Sequence, residues 1–493
     1  MKMTPMEQIK AAGDGLEVRE RIGDYAAKGF SSIAEDDIER LKWVGLYQQR
    51  PEEDHRFMMR IRIPGGRLSI QQANTLADLA QTFAGGRLDL TTRQDVQLHN
   101  IRIEDVPTIF ERLASVGLGT THACGDVPRN VMACPLDADN PLIAEINNAL
   151  EGKREFSNLP RKFKVGISTC PNDCVMARIH DVGLRGVNIN GQEGFDLSVG
   201  GGLSTKPFFS QRLGVFLRPE EVVEVVTVIA EIFRDRGYRE RRDRARLKFL
   251  LADRGPEEFR RSLEERLGRS LDSILPDEYR AVSGPLDHLG VLSEDKRGLA
   301  VPAGILQAEQ LRDLADSAPK EIRLTPHQNI LISGKIKGTG AFIFSSPDDW
   351  AGAVETCTGI DFCRRGLVHT KPVAMRLIEA LNARCADGPR VRIHFTGCPN
   401  SCGRVQLAEL GLSGRLIRDG ETRKEAFELW FGCRLGPDPQ FAKLSAWRIP
   451  AEEVPETVTQ IIRVYQKAVQ PSESFTEWIQ RIGVAELRRL TSE

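Results

Sequence analysis

Thr169-Cys-Pro-Asn-Asp-Cys-Val-Met-Ala-Arg-Ile-His-Asp-Val-Gly-Leu-Arg-Gly186 recurs later in the chain as Gly397-Cys-Pro-Asn-Ser-Cys-Gly-Arg-Val-Gln-Leu-Ala-Glu-Leu-Gly-Leu-Ser-Gly414. A second echo sets Arg87-Leu-Asp-Leu-Thr-Thr-Arg-Gln-Asp-Val-Gln-Leu98 over Glu321-Ile-Arg-Leu-Thr-Pro-His-Gln-Asn-Ile-Leu-Ile332, with Thr91 over Thr325 and Gln94 over Gln328. Both matches lie at an offset of about 230 residues, too long for one unit of a solenoid and suited to a duplicated pair of domains. Two halves related by a pseudo-twofold axis are therefore expected.

Within each half, strands and helices mix, so the fold class is α+β. Phe57 to Ile63 alternates like a half-buried strand, Ser69 to Phe83 carries apolar residues at helical spacing after Gly65-Gly66, and Thr91 to Ile103 returns to extended alternation. Pro219 to Arg234 reads as an amphipathic helix opening on Pro-Glu-Glu. Arg234 to Lys248 is rich in Arg but interleaved with Asp235, Glu240 and Asp243, which predicts a solvated helix face and not a nucleic-acid patch. Pro276 to Gly290, containing Gly284 and Pro285, reads as the linker between halves.

A chain of 493 residues exceeds one simple core and has room for a large cofactor. With 68 basic and 69 acidic residues, nothing global points to nucleic acid or a membrane surface, so any cationic site must be local. Met1 to Gly15 has no apolar core and no run approaches the ~18 residues of a membrane span, which predicts a cytoplasmic protein. In such a compartment the 10 cysteines read as metal or redox residues before disulfides.

Two cysteine pairs stand out: Cys357-Thr-Gly-Ile-Asp-Phe-Cys363 and Cys398-Pro-Asn-Ser-Cys402. Soft thiolates suit zinc and iron–sulfur clusters alike, but zinc knuckles favour C-x2-C and both pairs are wider, so a [4Fe–4S] cube is the better reading. Local cations form a second constellation. In Leu159-Pro-Arg-Lys-Phe-Lys-Val165 an extended backbone puts Lys162 and Lys164 on one face, and Arg93 and Arg129 lie in turn-like stretches. No phosphate loop accompanies them. Gly200, Gly201 and Gly202, in Ser198-Val-Gly-Gly-Gly-Leu-Ser204, suggest close backbone approach to a flat ligand.

With these residues in place, the chain resembles the siroheme-containing sulfite and nitrite reductases over roughly residues 40–480. The motifs are Lys42-Trp-Val-Gly-Leu-Tyr47, Phe57-Met-Met-Arg60, Thr92-Arg-Gln94, Pro128-Arg-Asn130, Leu159 to Lys164, Val199 to Ser204, Cys357 to Cys363 and Gly397 to Cys402. The resemblance implies an N-terminal helical extension at 1–54 and a ferredoxin-like part of the first repeat at 55–118. A siroheme- and substrate-binding domain at 119–275 and the linker at 276–290 follow. The second repeat then supplies a ferredoxin-like part at 291–350 and a [4Fe–4S]- and siroheme-binding domain with C-terminal helices at 351–493.

It further implies that Cys357, Cys363, Cys398 and Cys402 ligate the cube, with Cys402 also axial to siroheme iron. Arg93, Arg129, Lys162 and Lys164 would bind the oxyanion. The reaction would be the six-electron reduction of sulfite to sulfide, or of nitrite to ammonia. No flavin or nicotinamide domain is recognisable, so a ferredoxin is the expected donor. Plant and cyanobacterial nitrite reductases commonly have Asn at the position of Lys164, which favours sulfite, whereas Asn400-Ser401-Cys402-Gly403 looks like the nitrite branch. Remoter alternatives are a cobalamin-pathway oxygenase built on the same repeats and a non-catalytic iron–sulfur or zinc protein.

Cys124, Cys134, Cys170 and Cys174 repeat in the first half the order of the second-half ligands, although Cys124 and Cys134 lie ten positions apart where Cys357 and Cys363 lie six apart. Either they hold a second cluster or they are a vestige of the duplication. A third reading pairs Cys124 with Tyr47, because some sulfite reductases with these motifs carry a covalent Tyr–Cys link. Cys385 and Cys433 are read as structural.

Overall fold

The computed structural model describes residues 3–137, 139–170, 172–274, 288–317, 320–334, 349–436 and 438–491. The duplication in the sequence becomes a duplication of sheets. One antiparallel sheet runs Leu46–Gln48, Phe57–Ile61, Val96–Ile101, Arg87–Leu90 and Ile305–Gln307; another runs Gly290–Ser293, Lys296–Leu299, Ile330–Ser333, Glu321–Leu324 and Arg67–Leu68. The last strand of each comes from the opposite half.

This exchange is enforced where the chain leaves Pro64-Gly65-Gly66 and Pro302-Ala303-Gly304. At Gly66 (φ +76°) a Cβ would lie 2.3 Å from the Leu324 carbonyl oxygen, and at Gly304 (φ +64°) 3.0 Å from that of Leu90, so only glycine permits the crossing. Gln94 and Gln328, both left-handed, close it reciprocally: Gln94 Nε2 donates to Leu324 O at 2.8 Å and Gln328 Nε2 to Leu90 O at 2.7 Å. Leu68 and Leu306 on the exchanged strands are both about 1% exposed, and burial of each contributes roughly 1.5–3 kcal/mol. One continuous core results, to which the helices Ile70–Phe83, opened by a Ser69/Gln72 capping box, and Ala308–Asp316 both contribute.

The other two sheets are mixed and match strand for strand. Met132–Ala133, Val165–Ser168 and Val182–Ile189 run parallel, followed by antiparallel Gln192–Val199 and Gln211–Leu217. Val354–Thr356, Ile393–Thr396 and Leu410–Asp419 repeat the parallel part, and Thr422–Phe431 and Lys443–Pro450 the antiparallel part. Helices cover them, Val222–Arg236 in the first half and Lys371–Arg384 and Val454–Ala468 in the second.

Three expectations meet the structure here. Most of the expected linker at 276–290 lies outside the described residues, and its last residue, Gly290, already begins a strand. The N-terminal helices Pro5–Ala12, Val18–Lys28 and Glu35–Arg40 lead directly into the edge strand Leu46–Gln48. The Arg-rich stretch is not one solvated helix. Helix Val222–Arg236 stops before Gly237, and the next helix, Leu247–Arg254, begins only after a strap that keeps Arg241 exposed on Asp243 but turns Arg242 and Arg246 onto buried acids. Arg242 pairs with buried Asp126, and Arg246 with Asp181 at 2.7 Å, so local charge alternation reflects tertiary ion pairs. Among the described residues no helix is long and apolar enough to cross a membrane.

Candidate functional site

The carboxyl ends of the parallel strands place the cysteines, the usual location of ligands on such sheets. Cys357 follows Val354–Thr356, and Cys398 to Cys402 follow Ile393–Thr396. Cys134 follows Met132–Ala133, and Cys170 to Cys174 follow Val165–Ser168. Both Cys-Pro-Asn-x-Cys motifs carry left-handed residues at matching positions, Asp173 and Met176 in one and Ser401 and Arg404 in the other. Gly403 is required because a Cβ there would sit 1.8 Å from the Phe395 carbonyl oxygen.

All four second-half cysteines feel one another. Cys357 is pushed up to about 11 by burial and then by the charge of Cys402, Cys398 to about 12 by burial against Cys402, Cys357 and Cys363, and Cys363 is raised for the same reasons. Bare thiols there resist ionisation, so the set favours a bound cationic centre. Backbone amides already point at the sulfurs, with Gly397 N–H donating to Cys357 Sγ at 3.1 Å. Yet, among the described residues, these four do not converge within the span that a single ion needs, which suits a cube and not mononuclear zinc. Cys402 alone of the four is exposed, and its carbonyl accepts from Thr92 Oγ1 at 3.1 Å, so the turn before Arg93 touches the loop of the other half.

Cys402 lies within electrostatic reach of Lys162 and Arg60. Lys162 and Lys164 alternate around fully buried Phe163, as extended backbone predicts, and Phe163 is tied to the Pro128-Arg129 segment by Arg129 N–H to Phe163 O at 2.8 Å. Lys162 is lowered to about 7 by burial and by Arg246, against the opposing pull of Cys402. Lys164 is held well below the ordinary lysine range by burial, Arg93 and Lys162, and Arg93 is lowered to about 9, chiefly by burial. No hydrogen bond or ion pair engages either lysine ammonium among the described residues, and the Nε atoms of Arg60 and Arg93 are buried without partners. Lys162, Lys164 and Arg93 are crowded cations that burial and neighbouring positive charge lower, and such a group calls for an anionic ligand.

Two groups of expected site residues already have protein neighbours. Arg129 is spent on main chain, donating to Ala123 O at 3.0 Å and Gly125 O at 2.6 Å, so it shapes the loop that carries Cys124. At Gly200, Gly201 and Gly202 the space beside each Cα is filled by protein: a Cβ would meet Leu251 at 2.6 Å, His180 O at 2.5 Å and Arg246 at 3.0 Å, respectively. Internal packing by itself requires glycine at these positions.

The first-half cysteines divide. Cys124 belongs to a small apolar cluster with Met58, Ala123 and Tyr47, and its Sγ accepts from Arg60 Nη1 at 3.4 Å. It is not grouped with Cys134, Cys170 and Cys174, whose fourth companion is His288. The strand registers explain the error: Ala133 pairs with Ile167 as Thr356 pairs with Phe395, which equates Cys134, not Cys124, with Cys357. Cys385 and Cys433 are buried in separate apolar clusters.

The family model described as the nitrite and sulphite reductase 4Fe-4S domain matches residues 124–271 and 350–493, and the one described as the nitrite/sulfite reductase ferredoxin-like half domain matches 48–116 and 297–335. The chain belongs to the nitrite and sulfite reductase family. It is an oxidoreductase with the family's duplicated ferredoxin-like and 4Fe-4S architecture. A relative from Mycolicibacterium paratuberculosis named sulfite reductase [ferredoxin] 2 is 37% identical over 99% of this chain and 96% of its own length. A ferredoxin–nitrite reductase from Synechococcus elongatus is 33% identical over 94% and 96%. The solved structure of the Mycobacterium tuberculosis NirA protein superposes with a TM-score of 0.93 at 35% identity, covering 99% of this chain and 98% of that one.

Within this reductase framework, sequence reading missed three residues at or beside the sites. Arg60 closes the Phe57-Met-Met-Arg60 motif, but nothing local shows that it reaches Cys124. Arg246 holds Asp181, whose Oδ2 accepts from Lys164 N–H at 3.0 Å and so fixes the lysine-bearing segment. His288, a lone histidine in a linker-like stretch, carried no signal at all.

Proposed function

We propose that this enzyme reduces sulfite to sulfide at a siroheme coupled to a [4Fe–4S] cluster, with electrons from a ferredoxin. The observation that carries the reading is the pair Lys162 and Lys164, without hydrogen-bond or ion-pair partners for their ammonium groups among the described residues and with Lys162 in electrostatic reach of exposed Cys402, in a chain whose 37%-identical relatives are named sulfite reductase [ferredoxin]. Cys357, Cys363, Cys398 and Cys402 would hold the cube, and Cys402, the one thiol open to the cationic cleft, would be shared with siroheme iron. Siroheme, bearing several carboxylates, fits the unsatisfied guanidinium edges of Arg60 and Arg93, and when bound it supplies the electron path to the substrate.

The protein's own share is charge and protons. Lys162, Lys164 and Arg93 attract the oxyanion and stabilise negative charge as bonds to oxygen break. Arg129 positions the Cys124 loop. Lys162, lowered to about 7, holds a proton on Nζ that it can release near neutral pH, the property of a useful acid for departing oxygen. Outer walls come from the Arg246–Asp181 pair, which keeps the lysine segment extended.

Nitrite reduction to ammonia is the second reading, favoured by full-length similarity to ferredoxin–nitrite reductases at 32–33% identity. Anaerobic purification followed by an absorption spectrum and paired sulfite and nitrite assays with reduced ferredoxin is the test. Siroheme bands with higher kcat/KM for sulfite are expected. A protein without haem absorption would overturn the cofactor reading, and a preference for nitrite would overturn the substrate.

A further inference from the structure

Cys134, Cys170, Cys174 and His288 each offer one ligand atom, and these atoms all lie within 4.8 Å of one another. Zinc bound tetrahedrally at ~2.3 Å from sulfur sets its sulfurs ~3.8 Å apart, so a small contraction completes the site. A cube asks for more room, because each thiolate stands off a separate iron corner. The second-half cysteines occupy the same strand-end frame and do not converge in this way. The two halves thus use one backbone scaffold at two different spacings.

Independent observations point to a ligand here. His288 is only 7% exposed and interacts with the Cys170 thiol, yet its Nε2 makes no hydrogen bond of ordinary geometry among the described residues. Such an orphan costs ~1–3 kcal/mol unless something binds it. Cys134 and Cys174 are 1% and 0% exposed, and Cys174 N–H donates to Cys170 Sγ at 3.4 Å, a contact that stabilises a metal-bound thiolate. His288 is held from behind: a Cβ at Gly298 would lie 1.6 Å from the His288 carbonyl oxygen, so only glycine lets that backbone approach.

We propose that these four residues bind one zinc ion in a closed Cys3His site. Binding displaces the three thiol protons and leaves a complex with one net negative charge, without any change of oxidation state. With all four positions filled by protein, the ion is structural. It fastens the start of the second half to two loops of the first. The brace continues through His327, which lies 3.2 Å from the Cys174 carbonyl and 2.6 Å from Glu355, and Glu355 pairs with Arg404, two residues beyond Cys402.

The test is metal analysis of the holoenzyme purified without added zinc, with X-ray absorption at the zinc edge. About one zinc per chain is expected, with three sulfur neighbours at ~2.3 Å and one nitrogen at ~2.0 Å. His288→Ala and, separately, Cys170→Ser should lower bound zinc at least about tenfold. Absence of zinc from the wild-type protein, about nine irons per chain with a second cluster signal, or zinc in a shell lacking sulfur would each overturn the proposal. The wild-type spectrum decides even where a variant fails to fold, and the outcome is independent of the substrate.

Discussion

Lys164→Asn removes one positive head from the anion site while leaving its backbone support in place. Lys164 N–H donates to Asp181 Oδ2 at 3.0 Å, and Asp181 is fixed by Arg246 at 2.7 Å, neither of which uses the lysine side chain. A unit charge ~5 Å from a bound anion contributes roughly 3 kcal/mol per anionic charge at an effective dielectric of about 20. Doubly charged sulfite gains about twice what nitrite gains. Some of this is offset, because burial, Arg93 and Lys162 hold Lys164 well below its ordinary value, so it must take up a proton as the anion arrives. That cost is common to both anions and cancels in the comparison. After screening in a cleft that stays partly open to water, the difference is about 2 kcal/mol, or roughly thirtyfold in the ratio of the two kcat/KM values. The assay compares sulfite and nitrite with one reduced donor, at one ionic strength and at a pH where sulfite is doubly charged. A fall by the same factor for both substrates would refute the electrostatic account of substrate choice.

Cys402→Ser replaces the one exposed thiol of the four with a hard hydroxyl, so cluster iron and both activities should drop by at least about tenfold; retention of full activity would remove Cys402 from the ligand set. The KM for nitrite, which stays singly charged, should rise above about pH 7. Burial and Arg246 depress Lys162 to about 7, so the attracting charge is present below that pH and lost above it. Lys162→Arg should flatten this profile, and a flat wild-type profile between about pH 6 and pH 9 would show that Lys162 is not the titrating group. Tyr47 and Cys124 share one cluster beside Arg60, so peptide mapping of oxidised enzyme should find their peptides joined, lighter by one hydrogen from the thiol and one from the ring; separate peptides throughout would exclude the link.

Much of this protein was legible in the chain because its information is local or repeated. The two Cys-Pro-Asn-x-Cys loops fixed the duplication, since the same short backbone, with left-handed residues at Asp173 and Met176 or at Ser401 and Arg404, needs the same residue spacing wherever it occurs. Alternation around buried Phe163 is enough to set Lys162 and Lys164 on one side of an extended segment. Tertiary structure decided what depends on contacts between distant segments. The strand exchange carried by Arg67–Leu68 and Ile305–Gln307 leaves no periodic mark, because a short strand reads the same whichever sheet receives it. Cys124 and Cys134 were separated only by strand register, which equates Cys134 with Cys357 and leaves Cys124 to Tyr47. His288 joins the cysteines across more than a hundred residues, and Arg242 and Arg246 of the Arg-rich strap turn inward because buried Asp126 and Asp181 meet them there. Spacing along a chain specifies loops and faces; which loops meet is set by the packing of one sheet against another.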